Sequence, residues 1–236
     1  MLVSLTIVRY RKAFVPFALL AMAVHRLPLW LNHNCTFWKL LGCGHKGSFD
    51  LNPDWRQWGL LAVWKDQAAF EHFNRKSFIA RWWKWFTTEQ WTIVCEPLQS
   101  HGHWDRQQPF GTSNRTDYTG PVAVLTRATI KISRAKAFWA NVDEAAAPLA
   151  TAPGYITSVG IGEAPVLRQA TFSVWQSVAD VKAFAYRSRS HADVIKKTRT
   201  EGWYSEELFA RFKPLAAWGT LQGKDPLNGL LNNTTT

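Results

Sequence analysis

The chain has 236 residues and 28 Lys+Arg against 17 Asp+Glu, a formal charge of +11 at pH 7. That length suits one large domain or two small ones. Its 47% hydrophobic and 19% charged residues exclude intrinsic disorder for most of it. Three scattered cysteines, Cys35, Cys43 and Cys95, exclude a disulfide framework or a cysteine-rich metal site and point to a reducing compartment. The charge divides evenly, +6 over residues 1–118 and +5 over residues 119–236. With no basic tail, nucleic acid is not an expected partner. The 14 Trp and 14 Phe suit an aromatic core or a large apolar ligand cavity.

In chain order, a β-branched strand at Val3–Tyr10 leads into a helix at Phe14–Leu27. That helix lies in the most membrane-like stretch, Ala13–Leu31, which Pro16, His25-Arg26 and Pro28 interrupt. Its clean apolar core, Phe17 to Val24, is well short of the ~20 residues needed to span a bilayer. A signal peptide also fits poorly, because the basic Arg9-Tyr-Arg-Lys12 follows the apolar run. The expectation is a packed helix in a cytoplasmic protein, with peripheral contact to a membrane as the secondary reading. Strands at Thr36–Cys43 and Trp58–Trp64, a helix at Gln67–Trp85 and a strand at Trp91–Pro97 complete a first unit. After a polar stretch, the same order returns: Val122–Ile132, Ala135–Leu149, Tyr155–Ile161, Gln169–Trp175, Val178–Thr200 and Leu208–Pro214.

Residue matches support this duplication. Gly59-Leu-Leu-Ala-Val-Trp64 resembles Ala170-Thr-Phe-Ser-Val-Trp175 at an offset of 111, which Phe73 and Phe184 keep. Leu5-Thr6 pairs with Leu125-Thr126 at 120, Gly42 with Gly160 at 118, and Glu89-Gln-Trp91 with Glu201-Gly-Trp203 at 112. The order β-α-β-β-α-β is the ferredoxin-like unit. The expected fold is α+β, with tandem ferredoxin-like repeats forming a pseudo-symmetric dimeric α+β barrel. Residues 1–100 form the first repeat, 101–119 a linker, 120–222 the second repeat and 223–236 a flexible tail.

Nucleotide-binding loops, the Gly-x-Ser-x-Gly elbow and the His-Glu-x-x-His motif are absent. The two Gly-x-Gly pairs end strands and read as bulges or tight turns. His101-Gly-His103 lacks a third ligand nearby. In the second helix of the second repeat, Val181, Phe184, Ser188, His191 and Ile195 are spaced 3, 4, 3, 4 and share a face. At offset 111 the first repeat has Ala80, so the fold itself does not require that imidazole. His191 is either a hydrogen-bonded core histidine or an axial haem ligand. Around it, Arg187, Arg189, Lys196, Lys197 and Arg199 form either a solvated face or a site for haem propionates or an acidic electron donor. Arg127 sits between apolar neighbours on its strand, where burial requires a partner. The candidates are a propionate, a bound oxygen species or Glu163.

Phe37-Trp-Lys-Leu40, Gly59 to Trp64, Gly120-Pro-Val-Ala-Val-Leu-Thr-Arg-Ala-Thr-Ile130, Gly160-Ile-Gly-Glu-Ala-Pro165, Gln169 to Trp175, His191 and Gly202-Trp-Tyr-Ser-Glu-Glu-Leu-Phe-Ala-Arg-Phe212 together resemble the spheroidene monooxygenase family of carotenoid biosynthesis. The likeness runs in order from about residue 1 to 222. It implies a haem protein of the dimeric α+β barrel kind. Such a protein would use O2 and electrons from an acidic ferredoxin-type donor to oxidise an acyclic carotenoid or similar lipophile. It also implies haem b with its iron on His191. Trp175, Phe184 and Ile195 are expected to line the cofactor, with Arg127 as cofactor contact and catalytic residue polarising bound oxygen. The Trp82-Trp-Lys-Trp85 patch falls outside the likeness. Rival functions are an aldoxime dehydratase-like or peroxide-dependent haem enzyme, a non-catalytic haem or lipophile carrier, and a cofactor-independent monooxygenase of similar barrel type. A homo-oligomer is compatible with all of them.

Overall fold

The computed structural model describes residues 1–45, 47, 52–111, 115, 117–146, 149–164, 166–187, 197–198 and 200–231. They divide into two compact units. The first comprises Met1–Cys43, Asp54–Pro97 and Pro214–Thr236, and the second Gly44–Pro53 and Leu98–Lys213.

The first unit carries β1 (Leu2–Tyr10), α1 (Val15–Val24), α2 (Arg26–Trp30), β2 (Cys35–Gly44), β3 (Pro53–Trp64), α3 (Gln67–Lys76), α4 (Phe78–Phe86) and most of β4 (Thr87–Gly102), which belongs to the second unit from Leu98 onward. Its strands are ordered β4-β1-β3-β2, the ferredoxin-like order, with β1 antiparallel to both neighbours. The strand β1 is rich in Leu, Val and Ile and buried on both faces. Gln67–Trp85 reads as one helix in sequence but forms two. Ser77 is extended (φ −66°, ψ 153°), and its hydroxyl accepts the Ala80 N–H at 3.0 Å, capping α4. The break turns Ile79, Trp82 and Trp83 into one continuous core with Leu2, Val8, Tyr10 and Trp64. The Trp64 indole donates to Ser4 Oγ at 2.8 Å and that of Trp82 to the Tyr10 hydroxyl at 3.1 Å, so neither N–H is buried unpaired.

The second unit repeats the plan with β5 (Val122–Ile130), α5 (Ala135–Ala146), β6 (Tyr155–Ala164), β7 (Arg168–Trp175), α6 (Val178–Arg187) and β8 (Tyr204–Gly219), which belongs to the first unit from Pro214 onward; the order is β8-β5-β7-β6. The ladders confirm the duplication position by position. Leu2 faces Trp64 as Val122 faces Trp175. Both β1 and β5 shift register one residue before their last, at Arg9/Tyr10 and Thr129/Ile130. Val3 faces Cys95 as Ala123 faces Phe212, which makes the downstream offset 117, not 112. Glu206, rather than Glu201, therefore corresponds to Glu89.

The boundaries drawn from sequence also change. The stretch 101–119 is no free linker: β4 runs to Gly102, and Trp104 and Phe110 are almost fully buried. In the second unit Trp104 bridges Gln107, and the His103 N–H donates to the Glu207 carbonyl at 2.8 Å. In the first unit Leu221 bridges Lys224, and the Thr220 N–H donates to the Gln90 carbonyl at 3.0 Å. The described part of the 223–236 tail is thus a second copy of the same turn, with Leu221 and Leu227 buried. Gly102 (φ +87°) and Gly219 (φ +85°) open the two turns, and a Cβ at either would collide with a carbonyl oxygen of the facing strand.

Candidate functional site

Strand alternation sorts the expected site residues by face. Val122 and Val124 pack with Trp175, Val181 and Phe184, and Ile130 packs with Phe138 and Trp203. Even-numbered side chains of β5 therefore face the helices, and Arg127 faces away from them. Trp175 and Phe184 do meet, with ring centroids 5.3 Å apart. His191 and Ile195 lie outside the described residues, as do Lys196 and Arg199. Lys197 is exposed and donates to Asn141 Oδ1 at 3.3 Å.

The partner of Arg127 is the carboxylate alternative. Its guanidinium is 1% exposed. It donates to Glu206 Oε2 and to Glu163 Oε2 at 3.3 Å, and stands 5.3 Å from the Trp104 ring centroid. The Trp104 indole also donates to Glu163, at 2.8 Å. Glu206 further accepts the backbone N–H groups of Asp105 (3.0 Å) and Arg106 (2.8 Å), both at positive φ (+51° and +63°). Partial burial pushes the Glu206 carboxyl up. The Arg106 and Asp105 N–H groups and Arg127 outweigh that push and hold it below the ordinary carboxylate value. This charge cluster ties β5, β6, β8 and the turn after β4 together. The sheet separates it from Trp175 and Phe184, so the expected grouping of Arg127 with those two residues is corrected.

The helix-facing side of the second sheet has a feature that the first lacks. In the first unit one core cluster covers β1 end to end, and Thr6 at mid-strand is buried, its hydroxyl 3.0 Å from that of Thr92. Among the described residues of the second unit the buried apolar side chains form two separate clusters, and Thr126, the counterpart of Thr6, is exposed. Strands β7 and β8 flank β5 on either side, so Thr126 opens only toward the helix face. Its cross-strand partners Thr171 and Phe209 are half-buried.

Two residues earlier on β5, at the next position on the same face, Val124 faces Arg211, where Ser4 of the first unit faces Val94. The Arg211 guanidinium stands 5.1 Å from the Phe209 ring centroid, and its Nη1 donates to Gln99 Oε1 at 3.1 Å. The gap thus has a floor of two threonines, a phenylalanine and an arginine. Its walls are Trp175 and Phe184 at one end, Phe138 and Trp203 at the other. A flat apolar ligand bearing carboxylates matches that chemistry, while the described residues form no cluster of three or more metal-ligating side chains. Arg211 and Thr126 escaped the sequence reading because the 112 offset hid the Val94–Arg211 pairing. A separate open cleft of about 620 Å3 lies beside the charge cluster, lined by His103, Tyr204 and Glu207 among others.

No protein-family model matches the chain. Among solved structures, aldoxime dehydratase OxdRE in complex with butyraldoxime aligns over 90% of this chain and 79% of its own, with TM-score 0.59 and 11% identity. A second aldoxime dehydratase aligns over 90% and 80%, with TM-score 0.57 and 12% identity. At such identities the likeness concerns fold alone, and it places the chain in the dimeric α+β barrel class expected from the repeats. Among curated proteins, the spheroidene monooxygenase of Cereibacter sphaeroides is 33% identical over 89% of this chain, which spans 64% of that protein's length. The spheroidene monooxygenase of Rhodobacter capsulatus is 34% identical over 90% of this chain and 89% of its own. That of Rubrivivax gelatinosus is 38% identical over 80% and 72%. On those identities and coverages, this chain belongs to the spheroidene monooxygenase family.

Proposed function

We propose that this chain is a haem-dependent monooxygenase that uses O2 and an external electron donor to oxidise an acyclic carotenoid or a similarly long lipophile. Family membership supports the oxygenase and the carotenoid class. The observation that carries the haem is the opening at Thr126 in the second unit, with Arg211 beside it where the first unit has Val94. On this reading His191, in the segment after α6, holds the iron, and Arg211 pairs with a propionate. Trp175, Phe184 and Phe209 contact the macrocycle and keep water from it. Haem b, when bound, supplies the O2 binding and oxidising power. The chain's own work is to place the substrate carbon, exclude water and neutralise the propionate charge. Arg127 acts from the other side of the sheet as a positioning residue that stiffens β5.

The purified, haem-loaded protein is expected to show a Soret band and one haem per chain by pyridine haemochrome. The first unit has Val94 where the second has Arg211, its sequence has Ala80 at the 111 offset from His191, and it buries Thr6. A colourless protein that takes up no haem overturns the reading, and two haems per chain overturn the assignment to one unit.

Electron delivery is expected to weaken with salt, because exposed charges are screened over ~10 Å at 0.1 M. Turnover with an acidic ferredoxin should fall as ionic strength rises and should fall again in Lys196→Glu/Lys197→Glu. A rate flat across salt and unchanged by charge reversal removes the docking site.

A further inference from the structure

The helical layer of the first unit has two apolar faces, and the fold uses only one. Helices α1 and α2 follow each other almost without interruption: the His25 N–H donates to the Ala21 carbonyl at 2.9 Å and that of Leu29 to the His25 carbonyl. Ala18, Ala21, His25 and Leu29, spaced 3, 4, 4, are buried against the sheet. On the opposite side Phe17, Leu20, Val24, Leu27 and Leu31, spaced 3, 4, 3, 4, are all exposed, Leu27 by 61%. Helix α4 extends this surface, because Phe86 stacks on Phe17 with centroids 4.6 Å apart. Trp85 and Trp30 stand out at its edges, 63% and 72% exposed. An unbroken apolar face of this kind marks an interaction site.

Charge identifies the occupant. Residues 11–33 and 78–86 contain no Asp or Glu. Five cations fringe the face, Arg11, Lys12, Arg26, Arg81 and Lys84, all exposed and, among the described residues, none ion-paired to a carboxylate. Apolar side chains in the middle, tryptophans at the edge and cations outside form the pattern of a helix lying in the surface of an anionic bilayer. Lys12–Trp30 is long and apolar enough to cross a membrane by length and composition alone. Its buried face, however, packs on the first unit's core, and Phe14 and Phe17 pack on Phe86. We infer that α1, α2 and α4 form a monotopic docking face, with α1 and α2 lying in the plane of an anionic lipid bilayer, so that the enzyme works at a membrane surface.

The test is co-sedimentation of the full-length, haem-loaded protein with vesicles of phosphatidylcholine alone or with 30% phosphatidylglycerol. Tryptophan quenching by brominated lipid provides a second readout. Binding is expected with the anionic vesicles and to weaken with salt, and part of the quenching should vanish in Trp30→Phe/Trp85→Phe. Leu20→Asp and Leu27→Asp change exposed positions, so circular dichroism should stay unchanged. Each is expected to lower partitioning by about tenfold or more, since full burial of a leucine is worth more than one decade in an equilibrium constant. Arg26→Glu/Lys84→Glu should remove the preference for anionic lipid. Absence of binding at low salt, or binding indifferent to these changes, overturns the inference. So does a dimer that the Asp variants dissociate in a protein that ignores vesicles, because the face would then belong to a second copy.

Discussion

Replacing His191 with alanine is expected to leave a folded chain that has lost most of its haem. At the 111 offset in sequence the first repeat carries Ala80, and helix propensity favours alanine at a helical position. The iron, by contrast, would lose its only proposed bond to the protein. Apolar contact with Trp175 and Phe184 and pairing with Arg211 would be left to hold the cofactor. The measurement is the ratio of Soret to protein absorbance, with circular dichroism as the folding control, and added imidazole is expected to restore part of the absorbance. Full haem content with an unchanged ferric spectrum would move the ligand to His25, His45 or His103. Of these, His25 is 2% exposed, and burial pushes its imidazole down to about 4, so it stays neutral at pH 7. Its Nε2 has no hydrogen-bond partner. It lies in the first unit, however, enclosed by the rings of Phe78, Trp82 and Trp83.

The repeat was legible wherever sequence and backbone demand the same residue type. Trp64 and Trp175 each end a strand of apolar and β-branched residues and occupy the same ladder position. The turn copies were not legible. Gly102-His-Trp-Asp-Arg-Gln-Gln-Pro-Phe110 and Gly219-Thr-Leu-Gln-Gly-Lys-Asp-Pro-Leu227 share only a glycine, a proline and two apolar anchors. What the turns conserve is backbone conformation, with positive φ at Gly102, Asp105 and Arg106 and at Gly219, Gln222 and Gly223. Many residues satisfy such demands, and a polar stretch reads as linker. The break at Ser77 was hidden because the apolar spacing continues through it, and only a hydroxyl turned back onto Ala80 ends one helix and starts the next. The candidate site was half legible. Trp175 and Phe184 followed from helix and strand periodicity, whereas Thr126 and Arg211 needed the register of β5 against β8. Strand alternation from Val122 would have placed Arg127 opposite the helix face without any structure.

That placement leads to the second large effect. Arg127→Ala is expected to lower unfolding free energy by about 3–5 kcal/mol, the range for removing one partner of a buried ion pair. It would leave Glu163, 13% exposed, and Glu206, 21% exposed, facing each other without their cation. Arg127→Met fills the volume without charge and should cost less than alanine, with Glu206 still held by the Asp105 and Arg106 N–H groups. The sign of the pH dependence follows from Glu206. Its folded value is depressed below the ordinary 4.5, so its contribution is fully present above that value and is lost as pH falls through the folded one. Urea unfolding of the wild type at pH 7 and at successively lower pH should show that loss, and Arg127→Ala should flatten it, because Arg127 supplies part of the depression. Haem content and Soret position should stay unchanged in both variants, since Arg127 lies on the face of the sheet away from Trp175, Phe184 and Arg211. An Arg127→Ala protein of normal stability that loses haem or shifts its spectrum would instead put the guanidinium in contact with the cofactor, which the ion pairs to Glu163 and Glu206 argue against.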